Sequence, residues 1–224
     1  CREIAYHLIS NKHKVGYIAL EENVKRSIRG IVSVGLNKLI HIPEVRKTIP
    51  DEDIVNEWNK IKDYITLYDH WGSHSTDDLL NKIRYMVKGL DCKVIFLDHI
   101  SIVISGLAEG DERRLIDNTM TQLRQLVEEL NCAMFVVSHL KRPEGKFGHE
   151  EGTQTSLSHL RGSHSLAQLS DAVLGFERNQ QSADEGNVMV CRVLKNRFSG
   201  DTGIASTLIY NKDTGRLSEG DFDE

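Results

Sequence analysis

The sequence predicts an α/β protein: a wound, mainly parallel sheet with an antiparallel extension at its carboxyl end. Three observations predict it. Helical and strand patterns alternate through most of the 224-residue chain, which is the rhythm of βαβ units. The run KVIFLDH, residues 93–99, is apolar without alternation, as suits a central strand buried on both faces, and it ends on an acid, Asp98. Beyond residue 170, three strand patterns follow one another with no helix between them, as in a meander.

The elements follow in order. Residues 2–8 read as the remainder of a helix, with Ile4 and Leu8 at helical spacing and no capping signal ahead of them. Residues 15–20 form a short strand ending in Glu21 and Glu22, residues 24–39 an amphipathic helix, and residues 65–68 another strand. A helix begins at Thr76, a good N-cap with Asp77 and Asp78 behind it, and runs to about Lys88. After the Asp98 strand come a polar loop, residues 106–112, and a helix through Leu130. Residues 132–137 are the next strand, ending in Ser138 and His139. Residues 141–162 are rich in Gly, charge and His with little apolar periodicity; long loops of this kind in compact domains are functional or mobile. Residues 171–177, 187–194 and 204–210 are the three meander strands.

Composition sets outer limits. Hydrophobic content of 39% and charged content of 27% suit a globular protein. No apolar stretch is long enough to cross a bilayer, and no basic segment leads into an apolar core, so neither membrane insertion nor secretion is expected. Cys1, Cys92, Cys132 and Cys191 form no CxxC pair and no metal spacing; reduced, largely buried thiols in a cytoplasmic setting are expected. A net charge of -5 gives no global attraction to nucleic acid, so any polyanion site must be local. One domain, residues 1–218, with an acidic tail, residues 219–224, is the economical division.

Three strands therefore end in polar residues: Glu21, Asp98 and the Ser138-His139 pair. If they are neighbours in a parallel sheet, these groups line the edge where ligands bind in open α/β folds. Phosphoryl transfer to water needs such types: a carboxylate to orient and deprotonate water, a second to hold magnesium, and a polar group facing the γ-phosphate. Glu21, Asp98 and His139 suit these roles in turn; a solvated turn at Glu21-Glu22, a capped turn at Asp98 and a satisfied histidine at His139 are the plainer alternatives. No GxxxxGK[ST] phosphate loop occurs. Such a loop precedes a helix that leads to the next strand, so it is expected just before Cys1, in a truncated or intein-flanked chain that by itself hydrolyses NTP poorly.

The strings YIALEENV, VIFLDHISIV, DERRLIDNTMTQLRQL, SHLKRP, HEEG, LRGSHSLAQLSD, FERNQQ, LKNRFSGDTGIA and YNKDTG resemble, in order, the helicase half of the primase-helicases of short-tailed bacteriophages. That is a RecA-like, DnaB-type ring motor to which mitochondrial Twinkle is related. The resemblance covers nearly the whole chain and is weakest between Gly35 and Asp63. It implies an NTP-driven 5' to 3' helicase that acts as a hexameric ring on single-stranded DNA, with Mg2+ and ATP or dTTP, in the bacterial host cytoplasm.

Residue by residue, the resemblance implies that Glu21 is the catalytic glutamate, Asp98 the metal-site carboxylate and His139 the group coupling γ-phosphate to DNA. Gln168 lies near the nucleotide, and Arg178 and Tyr210 pack on its base. Lys195 and Arg197 form an interface KxR element whose arginine reaches into the neighbour's site. Lys141, Lys146, His149, Arg161 and backbone amides near Gly162 would contact DNA phosphates without reading sequence, although Gly145 and Phe147 stand where the phage pattern has lysines. The resemblance also implies a primase module upstream and polymerase docking by the acidic tail around Phe222. A RecA-type strand-exchange ATPase and a nucleotide-binding assembly protein of RecA fold are the rival readings.

Overall fold

The computed structural model describes residues 1–69, 76–102, 109–143, 147–160 and 164–220. Two compact units result, one formed by Cys1–Ser138 with Asp213–Gly215, the other by His139–Lys212 with the strand that follows Arg216.

In the first unit, α1 (Arg2–Ser10) leads to β1 (Val15–Ala19), α2 (Val24–Leu36) and two short helices, α3 (Pro43–Lys47) and α4 (Asp51–Ile61). Then come β2 (Ile65–Leu67), α5 (Thr76–Arg84) with a widened turn at Tyr85–Gly89, β3 (Val94–Asp98), α6 (Glu109–Leu130) and β4 (Ala133–Val136). The four strands are parallel in the order β2-β1-β3-β4. Tyr17, Phe96 and Phe135 lie directly opposite one another across β1, β3 and β4, with Phe96 and Phe135 stacked at 4.8 Å. This aromatic row and its aliphatic neighbours bury β1 and β3 completely except for Asp98, the only residue of either strand that is half-buried. Burial also pushes the Tyr17 hydroxyl up to about 12.

Both faces of the sheet are covered, which is why its central strands read as unbroken apolar runs. Val15, Tyr17, Ala19, Val94 and Phe96 join Ala5, Ile9, Ile31, Val32 and Ile61 in one core. On the other face Gly16 meets Ile95 and Met86 so closely that a Cβ there would sit 2.6 Å from the Ile95 side chain, which would have to shift to admit it.

Several elements depart from the expectations. Helix α2 stops at Leu36 rather than Leu39 because Asn37 turns left-handed, at φ 52°, and ends it. Helices α3 and α4 have no counterpart among the expected elements; each begins at or just after a proline, and α4 has Asp51, Glu52 and Asp53 in its first turn. Helix α6 starts at Glu109, inside the expected loop. None of the four cysteines is in a disulfide, but Cys1 is exposed, not buried.

The second unit contains α7 (His164–Leu169) and the antiparallel strands β5 (Ala172–Glu177), β6 (Val188–Asn196), β7 (Gly203–Tyr210) and β8 (Leu217–Gly220), in that order. The last strand is additional to the expected three. It pairs Glu219 with Leu208 and Gly220 with Thr207, so the acidic end starts inside the sheet, while Phe222 lies outside the described residues.

Candidate functional site: the strand-end carboxylates and the antiparallel unit

Strands β1 and β3 are parallel neighbours with Ala19 opposite Asp98, and the Leu20 amide donates to the Asp98 carbonyl at 2.6 Å. The sequence reading required this adjacency of the Glu21 and Asp98 strands. Strand β4 lies on the far side of β3, with Val136 opposite Leu97, and the chain then passes through Ser138 to His139, which is exposed.

The two adjacent glutamates do different work. Glu22 is held by Arg2 at 2.6 Å, by Arg26 at 3.5 Å and by the Ser27 hydroxyl at 2.9 Å, so it fastens β1 to the helices beside it. Glu21 remains 57% exposed in its side chain. Its Oε1 accepts a hydrogen bond from Nε2 of His99 at 2.6 Å, and His99 is buried. The sequence reading named Asp98 and passed over this histidine. The signal was the Asp-His pair at the strand end; the Asp98-His99 peptide is cis.

Burial pushes the Asp98 carboxyl above its usual range; the positive amino terminus and His99 pull against it, and the negative charges of Glu21 and Glu22 add a smaller upward push. The oxygens of a half-buried carboxylate at a strand end are the donors a hard divalent cation takes. Asp98 and Glu21 offer such oxygens at the ends of adjacent strands.

In the second unit the structure brings Arg178 and Tyr210 together. The Arg178 guanidinium carbon lies 5.9 Å from the Tyr210 ring centre, and its Nε donates to the Gly186 carbonyl at 2.6 Å. Gln168 is on α7, and its carbonyl accepts from Lys195 Nζ at 3.0 Å and from Arg197 at 2.7 Å. Lys195 also donates to the Ala167 carbonyl at 2.6 Å, and Arg197 pairs with Asp171 at 2.9 Å. Both cations of the KxR element therefore sit at the negative end of α7 in their own chain. Lys141 is exposed at its side chain; its amide donates to the His159 carbonyl at 2.8 Å, and its carbonyl accepts from His149 Nε2 at 3.1 Å. Lys146, Arg161 and Gly162 lie outside the described residues.

The sequence reading also passed over a buried ion pair. Arg192 holds Glu177 through two hydrogen bonds, 2.7 and 3.0 Å, and the Thr155 amide and hydroxyl each donate to Glu177 Oε1 at 2.8 Å. Burial alone raises the Glu177 carboxyl, but the Arg192 and Thr155 bonds together outweigh it and hold the group below its ordinary range. In sequence, the glutamate beside Arg178 was the one available sign of it.

A covered parallel sheet with acids at adjacent strand ends, followed by an antiparallel extension, defines a RecA-like α/β fold. Two solved structures share it. One is an ATPase domain, at a TM-score of 0.77 and 22% identity over 97% of this chain and 78% of that one. The other is a KaiC-like protein of Pyrococcus horikoshii, at 0.64 and 14% over 97% and 80%. The DnaB-like helicase C-terminal domain model matches residues 1–219, and the chain belongs to that family. A DNA helicase/primase of Enterobacteria phage T3 is 42% identical over 93% of this chain and 38% of its own length. A probable plasmid replicative DNA helicase of Chlamydia muridarum is 24% identical over 94% of this chain and 45% of its own length. The chain thus spans less than half the length of these relatives.

Proposed function

We propose that this chain is the motor part of a replicative DNA helicase that hydrolyses ATP or dTTP between the subunits of a hexameric ring and moves 5' to 3' on single-stranded DNA. The single observation that carries the proposal is the adjacency of β1 and β3, which sets Glu21 and Asp98 side by side at one sheet edge. Family membership and the phage helicase/primase relative support it.

In this reading Glu21 orients and deprotonates the attacking water. His99 donates to the same carboxylate and fixes which oxygen faces the water. Asp98 would hold Mg2+, which when bound supplies charge neutralisation to the phosphate oxygens. His139 faces the γ-phosphate and passes its presence to the chain that follows. Arg178 and Tyr210 pack on the base, and Gln168 lies near the nucleotide. Lys195 and Arg197 serve the neighbouring subunit by exchanging the α7 carbonyls and Asp171 for phosphate oxygens. Lys141 and His149, together with Lys146, Arg161 and Gly162, grip the DNA backbone through charge and amides. A primase module upstream and a polymerase docked on the acidic end complete the proposal; a solved DnaB-like replicative helicase with its primase interactions, 22% identical, shares the fold.

The test joins the chain to a phosphate-loop segment ahead of Cys1 and measures NTP hydrolysis with and without oligo(dT). Stimulation by oligo(dT), and its loss in Glu21→Gln, is expected. Hydrolysis indifferent to single strands would sink the motor reading.

A further inference from the structure

Part of the segment expected as a long loop, residues 147–155, is fastened along β5 and the residues just beyond it. After the turn at residues 148–152, where Gly152 takes φ 84°, Glu151 bridges to Asn179 and the Gln180 amide donates to the Glu150 carbonyl at 2.8 Å. Thr155 is 2% exposed and lies over Gly175 so closely that a Cβ there would meet its hydroxyl. Its amide and hydroxyl both donate to Glu177. Arg192, opposite Gly175 on β6 and on the same face as Glu177, clamps that carboxylate from below with two bonds. The fastening thus runs down alternate residues, Gly175 and Glu177 of the strand and Asn179 just beyond its end. At its other end the same segment holds Lys141, because His149 donates to the Lys141 carbonyl.

Arg178 stands within this row, one peptide bond from Glu177 and one from Asn179. It is the residue that reaches Tyr210. Consecutive Cα atoms are about 3.8 Å apart, so a shift of the β5 end that follows the base cannot leave the loop anchor behind. We infer that Glu177, clamped by Arg192 and bonded to Thr155, is a positioning residue that holds the DNA-facing segment in register with the base contact at Arg178, so that nucleotide occupancy and DNA grip change together. This rests on the helicase reading above for what each end binds; the fastening itself is geometry. A carboxylate is needed because one Oε1 must accept from both Thr155 donors while the two oxygens face the guanidinium fork.

Thr155→Val and Glu177→Gln are placed in the chain joined to a phosphate-loop segment, with Thr155→Ser as the conservative control. Hydrolysis without DNA, hydrolysis with oligo(dT), and hydrogen exchange of the 148–155 amides with and without nucleotide are measured. Hydrolysis without DNA is expected to stay within about two-fold. The oligo(dT) stimulation should fall about ten-fold, which corresponds to about 1.4 kcal/mol. Nucleotide should slow exchange at 148–155 in the parent and in Thr155→Ser but not in Thr155→Val. Unchanged stimulation in Thr155→Val, or DNA-free and stimulated rates falling together, overturns the inference. If Glu177→Gln does not fold, Thr155→Val decides alone. A parent that ignores oligo(dT) refutes the helicase reading instead, and the exchange data then decide the coupling by themselves.

Discussion

Replacing His99 by alanine should slow NTP hydrolysis while leaving nucleotide affinity alone. The His99 ring is 4% exposed in its side chain and donates to Glu21 at 2.6 Å, whereas Glu21 is 57% exposed. Without the imidazole the carboxylate stays solvated and loses the His99 bond that helps direct it, so the cost falls on the step that needs direction. A hydrogen bond to a charged group contributes about 1.5–3 kcal/mol. At about 1.4 kcal/mol per decade, that is a fall in turnover of roughly ten- to 150-fold. It should stay below the loss in Glu21→Gln, for which removal of a general base gives about 10²–10⁴-fold. Steady-state hydrolysis with saturating oligo(dT), by the chain joined to a phosphate-loop segment, gives kcat and KM separately. Phenylalanine at position 99 keeps the buried volume and removes the donor, so it separates chemistry from packing. The double variant Glu21→Gln/His99→Ala should be no slower than Glu21→Gln, since His99 acts through Glu21. Turnover within two-fold of the parent, or a further ten-fold loss in the double variant, would refute the reasoning.

Three other outcomes are expected. Phe96→Ala, which empties a fully buried ring stacked on Phe135, should cost about 3–5 kcal/mol in urea unfolding, and a loss below about 1 kcal/mol would count against the aromatic row as a core element. Arg178→Ala and Tyr210→Ala should each raise KM for the nucleotide about three- to ten-fold with kcat unchanged, as the loss of a stacked or cation-π contact of about 1 kcal/mol implies; an unmoved KM in both would remove them from the base site. The Glu177 carboxyl lies below its ordinary 4.5 in the folded chain, so the unfolded chain binds the extra proton; its stabilisation is complete above pH 4.5 and is lost as pH falls through the folded value. Urea unfolding at pH 7 and pH 4 should show a smaller acid loss in Glu177→Gln than in the parent, and equal losses would contradict the assignment.

Much of the parallel sheet was legible because its signals are local. An unbroken apolar run such as VIFLD buries on both faces wherever it is placed, and its length alone tells where the acid at its end emerges. Helices α3 and α4 were not legible in the same way. Their prolines and acidic first turns are weak local cues, and what makes them helices is packing, such as Ile61 in the core. Strand β8 is four residues with no pattern of its own, and it exists because β7 offers it a ladder.

The candidate site divides along the same line. Sequence by itself determined the residue types at the strand ends and, through the ordered resemblance to phage primase-helicases, the family and the residues to suspect. Tertiary structure alone decided that Glu21 meets a histidine 78 positions away, that Arg178 reaches Tyr210, and that Thr155 and Arg192 close on Glu177. The reason is physical: burial and periodicity are properties of a short segment, whereas a hydrogen bond between distant residues exists only after the sheet has chosen its neighbours and register.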